Sequence, residues 1–420
     1  MQDAILATYL IETQHPLEKA AQVMAGEQSA GTFVRVPGET PELLEKHGAK
    51  ILEITPLEAV SAPSLPGAKP PRQSHSSQWQ RARVVIAYPF DNVGLSLATL
   101  ITTLSGNLYE LGPFSGLKLL DVEIPAVFQS RYPGPKFGVA GTRQMAGVFD
   151  RPMIGTIVKP SVGLSPDQTA ELVRTLCEAG LDFIKDDELQ TNSPHSPLEA
   201  RVKAVMAVIN DHHVKTGKKV MYAFNITADL DDMRRHHDIV LAHGGTCIMV
   251  NMLAVGPVAL RAISQHTQLP IHGHRAGWGA LSRHPLLGME YVAFQKLMRL
   301  AGADHLHVNG LRNKFCESDE SVIASARACL SPLFQAQDVA MPVFSSGQST
   351  LQVADTYRAL NSVDLLYLAG GGIMAHPLGP AAGVASLRQA WDAALQGIDL
   401  HEYARDHVEL RQSLEMFAAL

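Results

Sequence analysis

The run LDFIKDDEL at 181–189 sets one lysine and three carboxylates directly behind a short apolar stretch. Paired carboxylates are hard oxygen donors of the kind Mg2+ takes, and such a site leaves coordination positions open for a substrate. If the run is a strand, its alternation sends Lys185, Asp187 and Glu188 to the strand end or its rim, and makes Asp186 the structural member. A lysine is cationic at neutral pH and a poor metal ligand as it stands. Addition of CO2 to its neutral amine would give an anionic carbamate, which is a good one. Taken alone, KDDE also reads as a salt-bridged rim in which Lys185 neutralises Asp186 and Asp187, and in isolation that plain reading is favoured.

Further groups follow the same pattern, each behind a brief β-type run. They are Lys159 in TIVKP, Asn225, Asn251, His272 with His274 and Arg275 in HGHRAG, His307 in HLHVNG, Ser345 with Ser346 and Gly347 in FSSGQS, and Gly370, Gly371 and Gly372 in LAGGGIMAHP. A lone Asn or His behind a strand is commonly a turn or cap residue, and Asn251 by itself reads as structural. The last two loops combine glycine-permitted backbone approach with clustered N–H groups, which suits phosphate, although a triple glycine is also a plain turn. With Arg275 and His307 they imply an anionic, phosphorylated substrate. Lys314, seven residues past His307, lies on a loop long enough to fold over a pocket as a lid, or is an ordinary solvated lysine. Together these groups suit a magnesium-assisted reaction at a carbon next to a carbonyl, with an enediolate stabilised by the metal and a lysine or carbamate moving the proton.

Residues so far apart in sequence need a fold that gathers them. β-type runs at 153–158, 181–184, 220–224, 247–250, 270–272, 305–307, 342–344 and 365–368 alternate with helical stretches. In SPDQTAELVRTLCEAG, for instance, Ser165 and Pro166 give a start and Gly180 a stop. Eight strand-plus-helix units are the period of a (β/α)8 TIM barrel, in which all strand C-terminal ends open on one face. Residues 131–420 are therefore assigned to a catalytic barrel with C-terminal helices, and 1–130 to an α+β domain. In the latter AILATYLIE, GTFVRVPG, KILEITPLEAV and RARVVIAYPF read as strands, PLEKAAQVMAGEQS as a helix, and the Pro/Ser-rich stretch 61–78 as a mobile surface connection.

Composition excludes other classes. The 420 residues, with 46% hydrophobic residues, 33 glycines and 25 prolines, suit a two-domain, loop-rich α/β enzyme rather than a fibrous or disordered chain. A net charge of -6 with scattered Lys and Arg leaves no footprint for nucleic acid or an anionic membrane. Cys177, Cys247, Cys316 and Cys329 lie far apart without a CxxC pair, which is neither a zinc signature nor a disulfide framework and fits a reducing cytoplasm. There is no run of about 18 uncharged apolar residues, and no basic segment precedes the N-terminal apolar stretch, so a cytoplasmic location is expected.

The stretch GTIVKPSVGLSPDQTAELVRTLCEAGLDFIKDDEL closely resembles its counterpart in ribulose bisphosphate carboxylase (RuBisCO) large chains, as do HGHRAG, GADHLHVNG and LAGGGIMAHPLGPAAG in the same order. The resemblance covers nearly the whole chain. It implies an N-terminal ferredoxin-like domain before the barrel, and a homodimer, or an assembly of dimers, with active sites shared between subunits. It further implies Mg2+ held by a CO2-derived carbamate on Lys185 with Asp187 and Glu188. Lys159 matches a proton-shuttling lysine, Lys314 the lid lysine, and His274, Arg275 and His307 match substrate and phosphate contacts. Ser345 matches a substrate hydroxyl contact, and Gly347, Gly371 and Gly372 match backbone phosphate binders. In the N-terminal domain GEQSAGTF matches the stretch that closes over the partner's pocket, giving Glu27 and Thr32, and Asn107 of LSGN matches an asparagine on the metal side of the substrate.

Departures turn the resemblance toward the RuBisCO-like, form IV, proteins. KPSVGL stands where carboxylases read KPKLGL, so Ser161 replaces a second active-site lysine, Phe33 replaces a tryptophan and Ser346 a glycine; the fifth and sixth barrel loops also differ. Ribulose bisphosphate carboxylation is therefore not expected. Among the form IV activities, Asn107 stands where the enolase of methionine salvage uses a lysine, while Lys159, Lys185 and Lys314 keep a carboxylase-type apparatus for protons and CO2. The expectation is decarboxylation or C–C cleavage of a phosphorylated 3-oxo sugar acid of the 3-oxo-isoapionate 4-phosphate type. Enolisation or isomerisation of a methylthio-pentulose phosphate stands as the alternative. Two readings from other classes remain beside it: a non-catalytic regulatory homologue, which intact metal ligands disfavour, and a Schiff-base aldolase, which would need no carboxylates beside its lysine.

Overall fold

In the computed structural model, which describes residues 4–31, 36–71 and 78–418, the chain divides by contact into two units. One comprises Met1–Pro133 with Gly277–Leu297, the other Gly134–Ala276 with Met298–Leu420.

The first unit is a ferredoxin-like α+β fold. Strands Ala4–Thr13, Lys50–Val60, Trp79–Pro89 and Phe114–Glu123 form one antiparallel sheet with Phe114–Glu123 and Trp79–Pro89 on either side of Ala4–Thr13. Helix Leu17–Glu27 buries Leu17, Ala20, Ala21 and Met24, and helix Leu97–Leu104 buries Leu97, Leu100 and Leu104. Those three- and four-residue spacings place one apolar stripe per helix on the core side. Of the strand expected over GTFVRVPG, positions 32–35, with Thr32 and Phe33, lie outside the described residues. The described part of the Pro/Ser-rich connection is not loose, because Ser64 N and Oγ each donate to the buried Glu12 carboxylate at 2.7 Å. The segment Gly277–Leu297, expected in the barrel domain, groups with this sheet instead. Its residues Leu287–Met289 pair parallel to Phe114–Glu123, and the Tyr109 hydroxyl donates to Gly288 O at 2.8 Å.

The second unit is a closed barrel of eight parallel strands. Met153–Ile157, Phe183–Lys185, Met221–Asn225, Cys247–Asn251, Ile271–His274, His305–His307, Met341–Phe344 and Leu366–Leu368 follow one another around it, matching all eight expected runs. Strands covered by helices outside and filled by side chains inside must be apolar on both faces, which is why they read as short continuous hydrophobic runs. Met153, Phe183, Met221, Met249, Val343 and Leu366 are among the buried residues that fill the interior. Helix Pro166–Glu178 starts as the sequence indicates, with a capping box between Ser165 and Gln168. Among the described residues no helix is long and apolar enough to cross a membrane, and the four cysteines are free.

Candidate active site

Lys185 ends its strand with its side chain fully buried and its amine donating to the Asp186 carbonyl at 2.7 Å. Burial pulls its basicity down to about 8, although the carboxylates of Glu188, Asp187 and Asp186 act in the opposite direction. Asp187, also buried, takes the Lys159 ammonium on Oδ2 at 2.7 Å and the Leu189 N–H on Oδ1 at 3.2 Å. Burial raises its pKa, but these bonds outweigh it and hold the carboxyl below its ordinary value. Lys159 is steadied further by Ser161 Oγ at 2.9 Å. Glu188 is more open, and its Oε2 lies 3.7 Å from His274 Nε2. The Ala276 N–H donates to His274 Nδ1 at 3.1 Å, so the neutral ring carries its proton on Nε2, facing that carboxylate.

Asp186 faces the other way, as alternation requires. Its carboxylate accepts the Tyr222 hydroxyl at 2.6 Å, the Asn225 N–H at 2.9 Å and the Arg201 guanidinium at 3.2 Å. Both members of the Arg201–Asp186 ion pair are completely buried. Asn225 and Asn251 brace the same turn through its backbone. The Asn225 amide donates to the carbonyls of Asp187 and Glu188 at 3.2 and 3.1 Å, and the Asn251 amide to that of Glu188 at 3.0 Å. Sequence reasoning placed both asparagines at strand ends but did not find this bracing, which leaves no local pattern.

The remaining barrel candidates lie at or just behind strand ends, except Lys314, which stands seven residues past His307. His307 bonds Ser345 Oγ at 3.1 Å, and its ring centroid lies 4.5 Å from that of His274. Arg275 is held by the Glu317 carboxylate, which also takes the Asn309 amide at 2.6 Å and the Ser321 hydroxyl at 2.8 Å. Glu317 was not singled out from the sequence. Lys314 is exposed, with its ammonium 5.3 Å from the Phe315 ring centroid and its backbone N–H on Ser346 O at 3.1 Å. Gly347 has φ 88°, a left-handed conformation that favours glycine. Gly372 is required for packing, since a Cβ would lie 2.6 Å from Gln348 O, whereas one at Gly371 would meet nothing within 4 Å. In the first unit the Asn107 amide donates to Glu27 Oε1 at 3.1 Å, so two of the three residues expected there are joined.

Oxygen donors on Asp187 and Glu188 beside a buried, weakened amine fit Mg2+ with a carbamate on Lys185: the carboxylates are hard ligands, and CO2 adds only to a neutral amine. Among the described residues, His237, Asp238 and His266 also bring three metal-type ligand atoms within 4.8 Å of one another. There the Gln268 N–H donates to His237 Nε2 at 3.3 Å, so the neutral ring points its Nδ1–H at Asp238, 2.9 Å away. The lone pair a metal would need at Nδ1 is thereby occupied by a proton.

A (β/α)8 barrel whose strand ends collect a buried lysine, two carboxylates, two histidines and an arginine has the arrangement of a barrel enzyme's catalytic face. The chain belongs to the ribulose bisphosphate carboxylase large chain family: residues 138–417 match the catalytic domain and residues 1–128 the N-terminal domain. It is 53% identical over 415 residues to the 3-oxo-isoapionate-4-phosphate transcarboxylase/hydrolase of Xanthobacter autotrophicus, covering 99% of each chain. It is 47% identical to the 3-oxo-isoapionate-4-phosphate decarboxylase of Rhizobium etli, again over 99% of each. The crystal structure of a RuBisCO-like protein from Burkholderia fungorum superposes with a TM-score of 0.92 at 48% identity, over 98% of this chain and 99% of that one.

Proposed function

We propose that this protein is a Mg2+-dependent lyase that removes the carboxyl group of a phosphorylated 3-oxo sugar acid, of the 3-oxo-isoapionate 4-phosphate type, by way of an enediolate. The observation that carries the reading is the buried Lys185 beside Asp187, with the Lys159 ammonium 2.7 Å from Asp187 Oδ2. Relatives named for that substrate at 53% and 47% identity support it. When bound by carbamylated Lys185, Asp187 and Glu188, Mg2+ supplies Lewis-acid polarisation and stabilises negative charge on substrate oxygen. Lys159, tethered between Asp187 and Ser161, is placed to deliver a proton. As the C–C bond to the carboxylate breaks, its electron pair passes into the 3-oxo carbonyl and CO2 leaves, and the Lys159 ammonium then protonates carbon. Arg275 and the backbone at Gly347, Gly371 and Gly372 would hold the phosphate, Ser345, backed by His307, a hydroxyl, and Lys314 would close with its loop. Glu27, Thr32 and Asn107 would complete the site of a partner subunit in a cytoplasmic homodimer.

The Xanthobacter relative, named a transcarboxylase/hydrolase, favours a second outcome of the same bond cleavage, in which the carboxyl group does not leave as CO2 but forms a new C–C bond to the other carbon of the enediolate. The test is a screen of carboxyl-13C 3-oxo sugar acid phosphates for released 13CO2, beside methylthio-pentulose phosphates assayed for solvent deuterium exchange. Release from the first set alone is expected. Exchange with the second set alone would overturn the reading, and label kept in a carboxylate product with no 13CO2 released would select transfer.

A further inference from the structure

Three buried histidines run down the inside of the barrel in an unbroken hydrogen-bonded chain. Ser345 Oγ meets His307 Nδ1 at 3.1 Å, His307 Nε2 meets His272 Nε2 at 2.7 Å, His272 Nδ1 meets His305 Nδ1 at 3.3 Å, and His305 Nε2 meets Thr142 Oγ1 at 2.8 Å. The chain ends on a group that can only accept, because Thr142 Oγ1 lies 2.5 Å from the Gly138 carbonyl. HGH and HLH carry the chain in the sequence, since a period of two sets both histidines of each strand on one face.

That terminal carbonyl fixes the direction of every proton above it. Thr142 has one hydroxyl proton and must give it to Gly138 O, so His305 Nε2 is the N–H that donates to Thr142. A neutral His305 then has a bare Nδ1, which takes the His272 Nδ1–H. The bare His272 Nε2 takes the His307 Nε2–H, and the bare His307 Nδ1 takes the Ser345 hydroxyl proton. The rings are neutral because burial draws all three below the usual imidazole range, His305 to about 3. The upper end is held independently. Asn309 gives its amide N–H to Glu317 at 2.6 Å and so offers its oxygen to the Ser346 hydroxyl at 2.8 Å, which keeps the Ser346 proton away from Ser345.

We propose that Thr142 is a positioning residue that polarises this chain, fixing the tautomers of His305, His272 and His307 and leaving Ser345 Oγ an acceptor for a substrate hydroxyl. Without the Thr142 oxygen, the buried His305 Nε2–H has no acceptor, and the chain gains by reversing. His307 would then carry its proton on Nδ1 and donate to Ser345, whose own proton would turn away from the ring, toward the pocket or toward Ser346 Oγ at 3.3 Å. Thr142→Val keeps the shape and removes the oxygen; Thr142→Ser keeps the oxygen.

The test is nitrogen NMR of 15N-histidine-labelled full-length protein, read without substrate, with steady-state kinetics alongside. Wild type and Thr142→Ser should both show His305 and His307 as Nε2–H and His272 as Nδ1–H, and Thr142→Val should show all three inverted. A wild-type His307 carrying Nδ1–H, or a Thr142→Val spectrum unchanged from wild type, overturns the proposal. The kinetic arm rests on the proposed substrate hydroxyl: Thr142→Val should raise KM about tenfold, the worth of one hydrogen bond, with Thr142→Ser restoring it. Inverted tautomers with an unmoved KM overturn the acceptor role of Ser345. The spectra stand apart from the substrate assignment, so its failure is distinguishable from theirs.

Discussion

Replacing Asp186 with Asn isolates the buried charge that holds the metal-cradle turn. The amide can keep its oxygen on the Asn225 N–H and on Arg201 and can donate its NH2 to the Tyr222 hydroxyl oxygen, so each contact at Asp186 is kept, with the Tyr222 hydroxyl turned from donor to acceptor. What disappears is the counter-charge. The other Arg201 partners are the carbonyls of Ser196 and Thr191 and the Ser196 hydroxyl, all neutral, and the guanidinium is fully buried. An uncompensated buried cation costs about 3–5 kcal/mol. In a unit of this size each kcal/mol moves Tm by about 2 °C, so Asp186→Asn should melt roughly 6–10 °C lower by scanning calorimetry. The double variant Asp186→Asn/Arg201→Met removes the stranded charge as well and should recover at least half of that loss, because an apolar replacement for a buried ion pair is close to neutral. A single variant within about 2 °C of wild type, or a double variant less stable than the single, would refute the reasoning.

Lys185→Ala should abolish both divalent-cation binding and turnover, and full activity in that variant would sink the proposed role of Lys185. Asp182 accepts Arg151 at 2.6 Å and Lys218 at 2.7 Å, which outweigh burial and hold its pKa down from 3.8 to about 2. A depressed carboxylate stabilises the fold above its unfolded pKa and stops doing so as pH falls through the folded one. The gap is worth about 2.5 kcal/mol, so Asp182→Asn should be less stable by about that amount at pH 6. Urea midpoints of variant and wild type should converge between pH 4 and pH 2; a constant difference would count against the linkage. Gly372→Ala should cost about 1–3 kcal/mol from the forced contact with Gln348 O, while Gly371→Ala should leave Tm unchanged; equal melting of the two would contradict the packing role.

The barrel was legible because its signal is local. Each strand is a short apolar run bounded by turn residues, and each strand end carries a polar or glycine-rich group, so eight runs could be placed from 153–158 to 365–368 before any contact was known. Strand alternation separates Lys185 and Asp187 from Asp186, and the family resemblance, not alternation, sets Glu188 with the first two. Helix Leu97–Leu104 and strand Phe114–Glu123 went unread, as did the grouping of Gly277–Leu297 with the first sheet. A strand such as Leu287–Met289 is three residues long, and pairing, not propensity, makes it a strand.

Residue types and periodicity were sufficient for the barrel and for the groups behind its strands, and the resemblance of whole motifs for the family. Pairing partners were not, because a side chain's hydrogen bonds depend on positions brought close by folding. The sequence shows an arginine in HGHRAG and a glutamate in KFCES, but not that Arg275 is paired with Glu317. It shows HGH and HLH, but not that their protons are ordered by Thr142, 163 residues before His305. Local chemistry is written along the chain; which donor faces which acceptor, and therefore which proton sits where, is decided only by the closed barrel that buries them together.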